Sequence, residues 1–260
     1  MKKLSTLSLL VTGLLCISVQ SGFAQLCVGH AVPVGTLCVD KYEAIVVPFR
    51  PTLFLGSPGS LEGKQFGRTG DDYPCADNGN DCHVSKETRI YAASVPGVTP
   101  SRFITWFQAQ QACANVGKRL LRNGEWQMAA AGTPDPEKSG FGDCNVDSPD
   151  LTPTGSRAKC VSNFGAFDMV GNASEWVEDW MQPNTGNSGE ESANSDYGRD
   201  GILGMDDALF QGGGAGFPAA LVRGGNFLHG SIAGVFALNA RFAPSFSDEA
   251  IGFRCAYDRR

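Results

Sequence analysis

The hydrophobic pattern of this chain predicts two short helices near its middle. After Thr105, small apolar residues recur at helical spacing until Gly117, a residue that commonly ends helices. A second helix is predicted to begin near Asn123, whose side chain is a good N-cap, and to run through Trp126 until Gly132. We therefore expect two helices of about three turns or fewer.

Strand signals are weaker than the helix signals. Residues 38–47 (CVDKYEAIVV) alternate moderately and are rich in β-forming side chains, which predicts one early strand. Residues 48–100 are dominated by Gly, Pro, Asp and Asn without a sustained period, which predicts mostly irregular structure. Residues 184–207 hold Gly, Ser, Asn and acids, and we expect a long surface loop there, with solvation explaining the acids more simply than a bound cation.

Composition makes this picture more definite. The chain has 33 glycines in 260 residues, well above the usual share of about 7%. Many tight turns and little helix follow from such a content. Composition and pattern together predict a loop-rich α+β fold.

The N-terminus has the features of an export signal. Lys2 and Lys3 precede a mostly apolar run over residues 7–19, and Gly22-Phe23-Ala24 forms a small-x-small cleavage pattern. We expect a signal peptide over residues 1–24 and one exported domain over residues 25–260, periplasmic or extracellular. Lipoprotein cleavage before Cys16 is the alternative, although the preceding leucine fits it poorly. No later stretch has the roughly 18 apolar residues of a membrane span.

Charge excludes one class of partner. The formal net charge is −6, and it becomes more negative when the two signal lysines are removed. No basic cluster is available to neutralise a phosphate backbone. We therefore expect no nucleic-acid partner.

Eight cysteines follow the signal, and an even number in an exported protein favours disulfides. Local pairing suggests Cys27 with Cys38, Cys75 with Cys82, and Cys144 with Cys160, leaving Cys113 for Cys255. The sequence alone leaves all 105 arrangements open. Between Cys75 and Cys82, the acids and amides of DNGND could bind calcium, but a solvated turn is the favoured interpretation.

Several segments in order carry a family resemblance. They are CVDKYE at 38–43, GKRLLRNGEWQMAA at 117–130, FDMVGNASEWV at 167–177, and VRGGNF at 222–227 with GFRCA at 252–256. Together they resemble the sulfatase-modifying-factor family, whose founding activity is formylglycine generation, from about Cys27 to the C-terminus. The resemblance implies an elaborated C-type-lectin-like fold of the formylglycine-generating type, pinned by disulfides and calcium, with Cys113 and Cys255 matching the family's structural disulfide.

The resemblance also implies structural calcium. By similarity to the family, the first site would use Gly171, Asn172, Ala173 and Glu175, and hard oxygen ligands of this kind suit calcium. Alternatively, Asn172 and Glu175 cap local backbone groups and the neighbouring Trp176 fills the core. For a second family site, Asn145 and Val146 are the candidates.

The resemblance locates the family's chemistry in residues 223–234 (RGGNFLHGSIAG). In formylglycine-generating members, a two-glycine turn is followed by two cysteines five positions apart, which bind copper and capture the substrate cysteine. Here those positions hold His229 and Gly234. Because Cu(I) prefers soft sulfur ligands, we expect no copper and no formylglycine generation.

Two functions are compatible with the sequence. The first is a calcium-supported module that binds a peptide, a glycan or a surface protein. The second is a cysteine-free oxidoreductase or tailoring enzyme that uses the same cleft, with His229, Asn226 and Arg241 as candidate catalytic residues and Trp176 as a possible wall. His229 could equally be an ordinary side chain that fills the space of a lost cysteine. An open cleft would favour the enzyme, and a filled one the binding module.

Overall fold

A computed structural model describes residues 26–51, 64–136, 140–181, 202–203 and 219–259. The predicted signal peptide and almost all of the predicted acidic loop lie outside these residues. No helix in the described ranges is long and apolar enough to cross a membrane.

Both predicted helices are present. Helix α1 spans Trp106–Asn115 and helix α2 spans Asn123–Ala130. At the start of α1, Thr105 Oγ1 accepts from the Gln108 amide at 3.2 Å, and the Gln108 side chain accepts from the Thr105 amide at 3.0 Å. This reciprocal pair satisfies two backbone donors that the first helical turn leaves free. Gly117, with φ of +79°, follows α1 as predicted.

The predicted N-cap of α2 is wrong by one residue. Arg122 is the cap, and its amide donates to Glu125 Oε2 at 2.9 Å. Asn123 takes the first helical position instead, where its amide donates to Asp179 Oδ2 at 2.6 Å. Its side chain is thereby free to accept a hydrogen bond from Arg223.

Eleven strands in the described ranges form three sheets. The strands are β1 Ala31–Val34, β2 Leu37–Asp40, β3 Ala44–Val47, β4 Tyr91–Ser94, β5 Arg119–Leu120, β6 Ser174–Met181, β7 Ile202–Leu203, β8 Ala219–Arg223, β9 Leu238–Phe242, β10 Ile251–Phe253 and β11 Cys255–Asp258. The sheets run in the orders β1-β2-β11-β5, β10-β6-β8-β9-β7 and β3-β4. Within the second sheet, β10 pairs with β6 in parallel, while β6, β8 and β9 are antiparallel.

Two strand predictions need correction. The single strand predicted over residues 38–47 is split into β2 and β3, which belong to different sheets. The break allows the buried Glu43 side chain to accept from the Ala173 amide at 2.8 Å. Strand β4 lies in the region predicted to be irregular, because it pairs along the full length of β3 and its last three residues, Ala92 to Ser94, are buried.

The core lies between the helices and the two larger sheets. Trp126 of α2 and Trp176 of β6 are both fully buried. Trp176 donates from Nε1 to the Ile104 carbonyl at 2.9 Å, so it is a core residue and not the wall of a cleft.

All four suggested disulfides are present. The bonds join Cys27 to Cys38, Cys75 to Cys82, Cys113 to Cys255 and Cys144 to Cys160. The third joins α1 to β11 across 142 residues of sequence and ties the middle of the chain to its last strand. The two helices and three sheets confirm the predicted loop-rich α+β class, and one of the disulfides links distant segments.

Candidate functional site

The segment 223–234 begins with a turn that only glycines can make. Gly224 and Gly225 have φ angles of +84° and +73°, in a region that side chains with a Cβ rarely enter. A Cβ on Gly224 would lie 2.7 Å from the Met169 carbonyl oxygen, and one on Gly225 would lie 2.7 Å from Ala233. Close packing therefore explains why this turn needs two glycines, and no catalytic role has to be assigned to them.

Arg223 anchors this turn to helix α2. Its guanidinium lies over the Trp126 ring at 4.7 Å and donates to Asn123 Oδ1 at 2.5 Å, to the Gln127 side chain, and to the Val235 carbonyl at 2.9 Å. A buried guanidinium needs several such partners to offset its desolvation. The charged residue that opens the segment therefore has a structural role.

His229 and Asn226 are brought together, as the sequence suggested. His229 Nδ1 accepts from the Asn226 amide at 3.2 Å, so the neutral ring carries its hydrogen on Nε2. Burial lowers the pKa of His229, against the opposing influence of Asp248. Asn226 Oδ1 accepts from the Leu228 amide at 3.0 Å and so shapes the same turn.

Beside His229 lies a niche of about 20 Å³, whose lining includes Ser174, Gly225, Leu238 and Asn239. A single water molecule needs a cavity of roughly 10–15 Å³. The niche therefore has room for one water and not for a substrate, as far as the described residues form it. Arg241 is not among the residues that line the niche. It lies on β9, where its amide donates to Asn239 Oδ1 at 2.9 Å.

The two segments predicted to bind calcium also meet. Asn145 and Gly171 form an isolated parallel β-bridge. The Asn172 amide donates to the Asn145 carbonyl at 2.7 Å, and the Asn145 side chain donates to Asn172 Oδ1 at 3.0 Å. Gly171 and Asn172 both have positive φ, of +75° and +55°. The neighbouring carbonyl of Val146 accepts from the Gly230 amide at 2.7 Å, which links these segments to the His229 turn.

The side-chain oxygens of Asn172 and Glu175 do not fit a calcium site in this arrangement, because other groups in the protein already bind them. Arg254 donates to both Glu175 oxygens, with its shortest contact at 2.6 Å, and Trp126 Nε1 donates to Oε2 at 2.7 Å. Asn172 Oδ1 accepts from the Thr152 amide at 2.9 Å as well as from Asn145. The Arg254 guanidinium therefore occupies the position beside Glu175 where a calcium ion would be needed.

One other group of metal-ligand types is close together in the described ranges. It consists of Cys75, Asp81 and Cys82, whose ligand atoms lie within 4.8 Å of one another. The two sulfurs form a disulfide, and metals bind thiolates instead. Asp81 Oδ1 accepts from the Ala76 amide at 2.8 Å, as expected for the solvated turn.

Sequence reasoning missed a buried cluster of acids around Arg254. Glu43, Asp168 and Glu175 are at most 2% exposed, as is Arg254. Burial, together with the charges of Asp168 and Glu175, raises the pKa of Glu43 well above its ordinary value, and burial raises that of Asp168 to about 6. The signal was the charged residues inside three of the quoted segments, CVDKYE, FDMVGNASEWV and GFRCA. The cluster brings the three segments together, which explains why each of them contains at least one charged residue.

These features define a class of protein. The family described as Sulfatase-modifying factor enzyme 1-like domain matches residues 64–259, and the chain belongs to it. The predicted elaborated C-type-lectin-like fold is thereby confirmed. Among curated proteins, the serine/threonine-protein kinase Pkn1 of Chlamydia trachomatis serovar L2 is 35% identical over 83 residues, which cover 30% of this chain and 13% of the kinase. The chain thus spans about an eighth of the length of such relatives.

Solved structures are similar at lower identity. The Major Tropism Determinant M1 variant has a TM-score of 0.49 and 18% identity, covering 93% of this chain and 54% of its own. PvdO from Pseudomonas aeruginosa has a TM-score of 0.45 and 18% identity, covering 85% and 80%.

Proposed function

We propose that this chain is an exported, ligand-binding member of the sulfatase-modifying-factor family that does not generate formylglycine. The state of the thiols is the observation that supports this most directly. All eight cysteines from Cys27 to Cys255 are paired in disulfides, and the positions of the family's cysteine pair hold His229 and Gly234. A pair of thiolates to hold Cu(I) is therefore missing from this part of the chain.

The space beside His229 also favours binding over catalysis. A niche of about 20 Å³ leaves room for one water. The neutral His229 ring is held by the Asn226 amide, and Arg241 does not line the niche. We therefore favour the binding module over a cysteine-free oxidoreductase working in the same cleft.

The partner we expect is a peptide, a glycan or a surface protein. Four disulfides favour an oxidising compartment and hence export. The formal net charge of −6 disfavours nucleic acid. The calcium support implied by the resemblance is left out of the proposal, because Glu175 is bound to Arg254 in this arrangement.

An oxidation assay tests the proposed loss of activity. Protein exported through its own signal, so that its disulfides form, would be loaded with copper and incubated in air with a cysteine-containing sulfatase peptide. Mass spectrometry would then measure conversion of the cysteine to formylglycine. We expect no conversion above the protein-free background.

A cysteine-containing family member, assayed in parallel, establishes that the peptide and the copper loading are adequate. Conversion by this chain in proportion to its concentration would refute the proposal. The result does not depend on identifying the ligand.

A further inference from the structure

A pocket of about 390 Å³ opens at the first sheet, among residues that do not line the His229 niche. Its walls include Val28, Cys38, Lys118, Tyr257 and Asp258. Small-molecule sites have volumes of about 300–1,000 Å³, so this pocket has the size of a ligand site and the niche does not.

The pocket is held open by covalent and polar links. The N-terminal segment that forms one wall is tied to β2 by the Cys27–Cys38 disulfide. The Val28 amide also donates to the Tyr257 hydroxyl at 2.7 Å, which fixes the segment to β11. A wall fixed at two points is ordered before a ligand arrives, and that lowers the entropic cost of binding.

Two of the three cations that line the pocket, Lys118 and Arg119, are paired with carboxylates. Lys118 pairs with the buried Asp40, and Arg119 makes two bonds to Glu125, at 2.6 and 2.8 Å, and one to Asp258 at 3.2 Å. The third cation on the lining, Arg259, donates to the Gly35 carbonyl at 3.2 Å. A charged ligand would compete with the ion pairs of Lys118 and Arg119, whereas a neutral one would leave them intact.

The lining nevertheless offers strong hydrogen-bonding groups. The ammonium of Lys118 and the guanidinium of Arg259 donate, and the carboxylate of Asp258, which is 76% exposed at its side chain, accepts. The Tyr257 ring and the Val28 side chain, which is 59% exposed, add apolar surface. A fitting ligand therefore has hydroxyl groups, which both donate and accept, on a ring with an apolar face.

We propose that this pocket binds a neutral saccharide unit. The geometry that carries the proposal is the combination of a preformed volume, paired charges and a partly apolar lining. The proposal specifies the ligand class of the binding module and rests on that proposed function. It needs neither His229 nor a metal.

The test measures sugar binding by nuclear magnetic resonance of isotope-labelled, disulfide-bonded protein. Methyl glycosides of glucose, galactose, mannose and N-acetylglucosamine are titrated one at a time, with glucuronate as the charged comparison. We expect at least one neutral glycoside to shift the amide signals of Lys118 and Tyr257 saturably. In the double variant Asp258→Ala/Arg259→Ala, which changes the last residue of β11 and the residue after it, we expect at least about tenfold weaker binding.

Lys159→Ala provides the matched control, because Lys159 is 79% exposed at its side chain and does not line the pocket. This variant should bind as the unchanged protein does. Binding of glucuronate alone, or of none of the glycosides, would overturn the proposal, as would unchanged affinity in the double variant. Formylglycine formation would overturn the proposed function while leaving the sugar titration interpretable, so the two failures are distinguishable.

Discussion

At the scale of single residues, backbone conformation decides how the two predicted calcium segments meet. Gly171 has φ of +75°, and a Cβ there would lie 2.4 Å from the Asn145 carbonyl oxygen. Asn172 follows at φ of +55°, a conformation that Asn tolerates better than most residues. The close approach of the two segments therefore depends on the absence of one side chain.

Gly171→Ala tests this close approach. We expect it to lower the free energy of unfolding by at least about 2 kcal/mol, because backbone strain of about 1–3 kcal/mol adds to the clash. Urea unfolding curves give the value. Gly97→Ala is the control, since Gly97 has φ of +72° with nothing within 4 Å of a Cβ. Equal losses in the two variants would mean that the contact with Asn145 adds nothing.

Asp168 gives a second prediction, about pH. Burial raises its pKa from 3.8 to about 6, so the folded state holds this proton more tightly than the unfolded state. The contribution of Asp168 to stability then falls as pH rises between about 4 and 6, and the penalty is complete above that range. Asp168→Asn removes the penalty, and Asn suits the φ of +58° at this position.

We therefore expect the gain in unfolding free energy of Asp168→Asn over the unchanged protein to grow across this range and then to level off. Two pKa units correspond to at most about 3 kcal/mol. Urea unfolding at a series of pH values measures the difference. If the unfolding free energies of the two proteins changed with pH in parallel, or if the variant were less stable at neutral pH, the raised pKa of Asp168 would be contradicted.

At the scale of elements, local patterns were sufficient for the helices and insufficient for the strands. Thr105, Gly117 and the apolar spacing between them are signals within one helix. The split between β2 and β3 depends instead on Glu43, which bonds to a residue 130 positions away. Short strands such as β4 are defined by their partners, and a local pattern does not contain the partner.

The disulfides join elements over very different lengths of chain, and their effects on stability should differ accordingly. Cys113–Cys255 spans 142 residues and Cys75–Cys82 spans 7. The chain-entropy model gives about 5 kcal/mol for the first loop and about 2 kcal/mol for the second. All four sulfurs are buried, so replacement of each pair by alanine leaves comparable cavities.

We accordingly expect Cys113→Ala/Cys255→Ala to lower the unfolding free energy more than Cys75→Ala/Cys82→Ala does. Chemical denaturation of the two double variants gives the comparison. A greater loss for the short loop would show that local packing outweighs the entropy of the unfolded chain.

At the scale of the whole molecule, the family assignment predicted far more than local patterns did. The quoted segments contain the residues that surround Arg254, but they do not show that Glu175 is bound to it. Ionic contacts between distant segments depend on the folded arrangement, and the sequence does not list them. The niche beside His229 could not be predicted either, because its lining residues come from three strands, β6, β8 and β9, and from the loop between β8 and β9.

Calcium dependence is a whole-molecule property that a melting curve tests. Since the side-chain oxygens of Asn172 and Glu175 already accept hydrogen bonds within the protein, we expect the same Tm in excess calcium and in chelator. Elemental mass spectrometry of protein purified without chelator accompanies the curves. A Tm that rises with calcium concentration, with calcium present at near one ion per chain, would restore the calcium site implied by the resemblance.

The strand order of the first sheet has a consequence for biosynthesis. Strand β11, at residues 255–258, lies between β2 and β5, so the sheet cannot close until residues 255–258 have been made. Until then β2 and β5 are open edges, which are sites of aggregation. Termination before residue 255 would leave those edges unpaired and Cys113 without its partner, so such products should be recognised by quality control as unfolded.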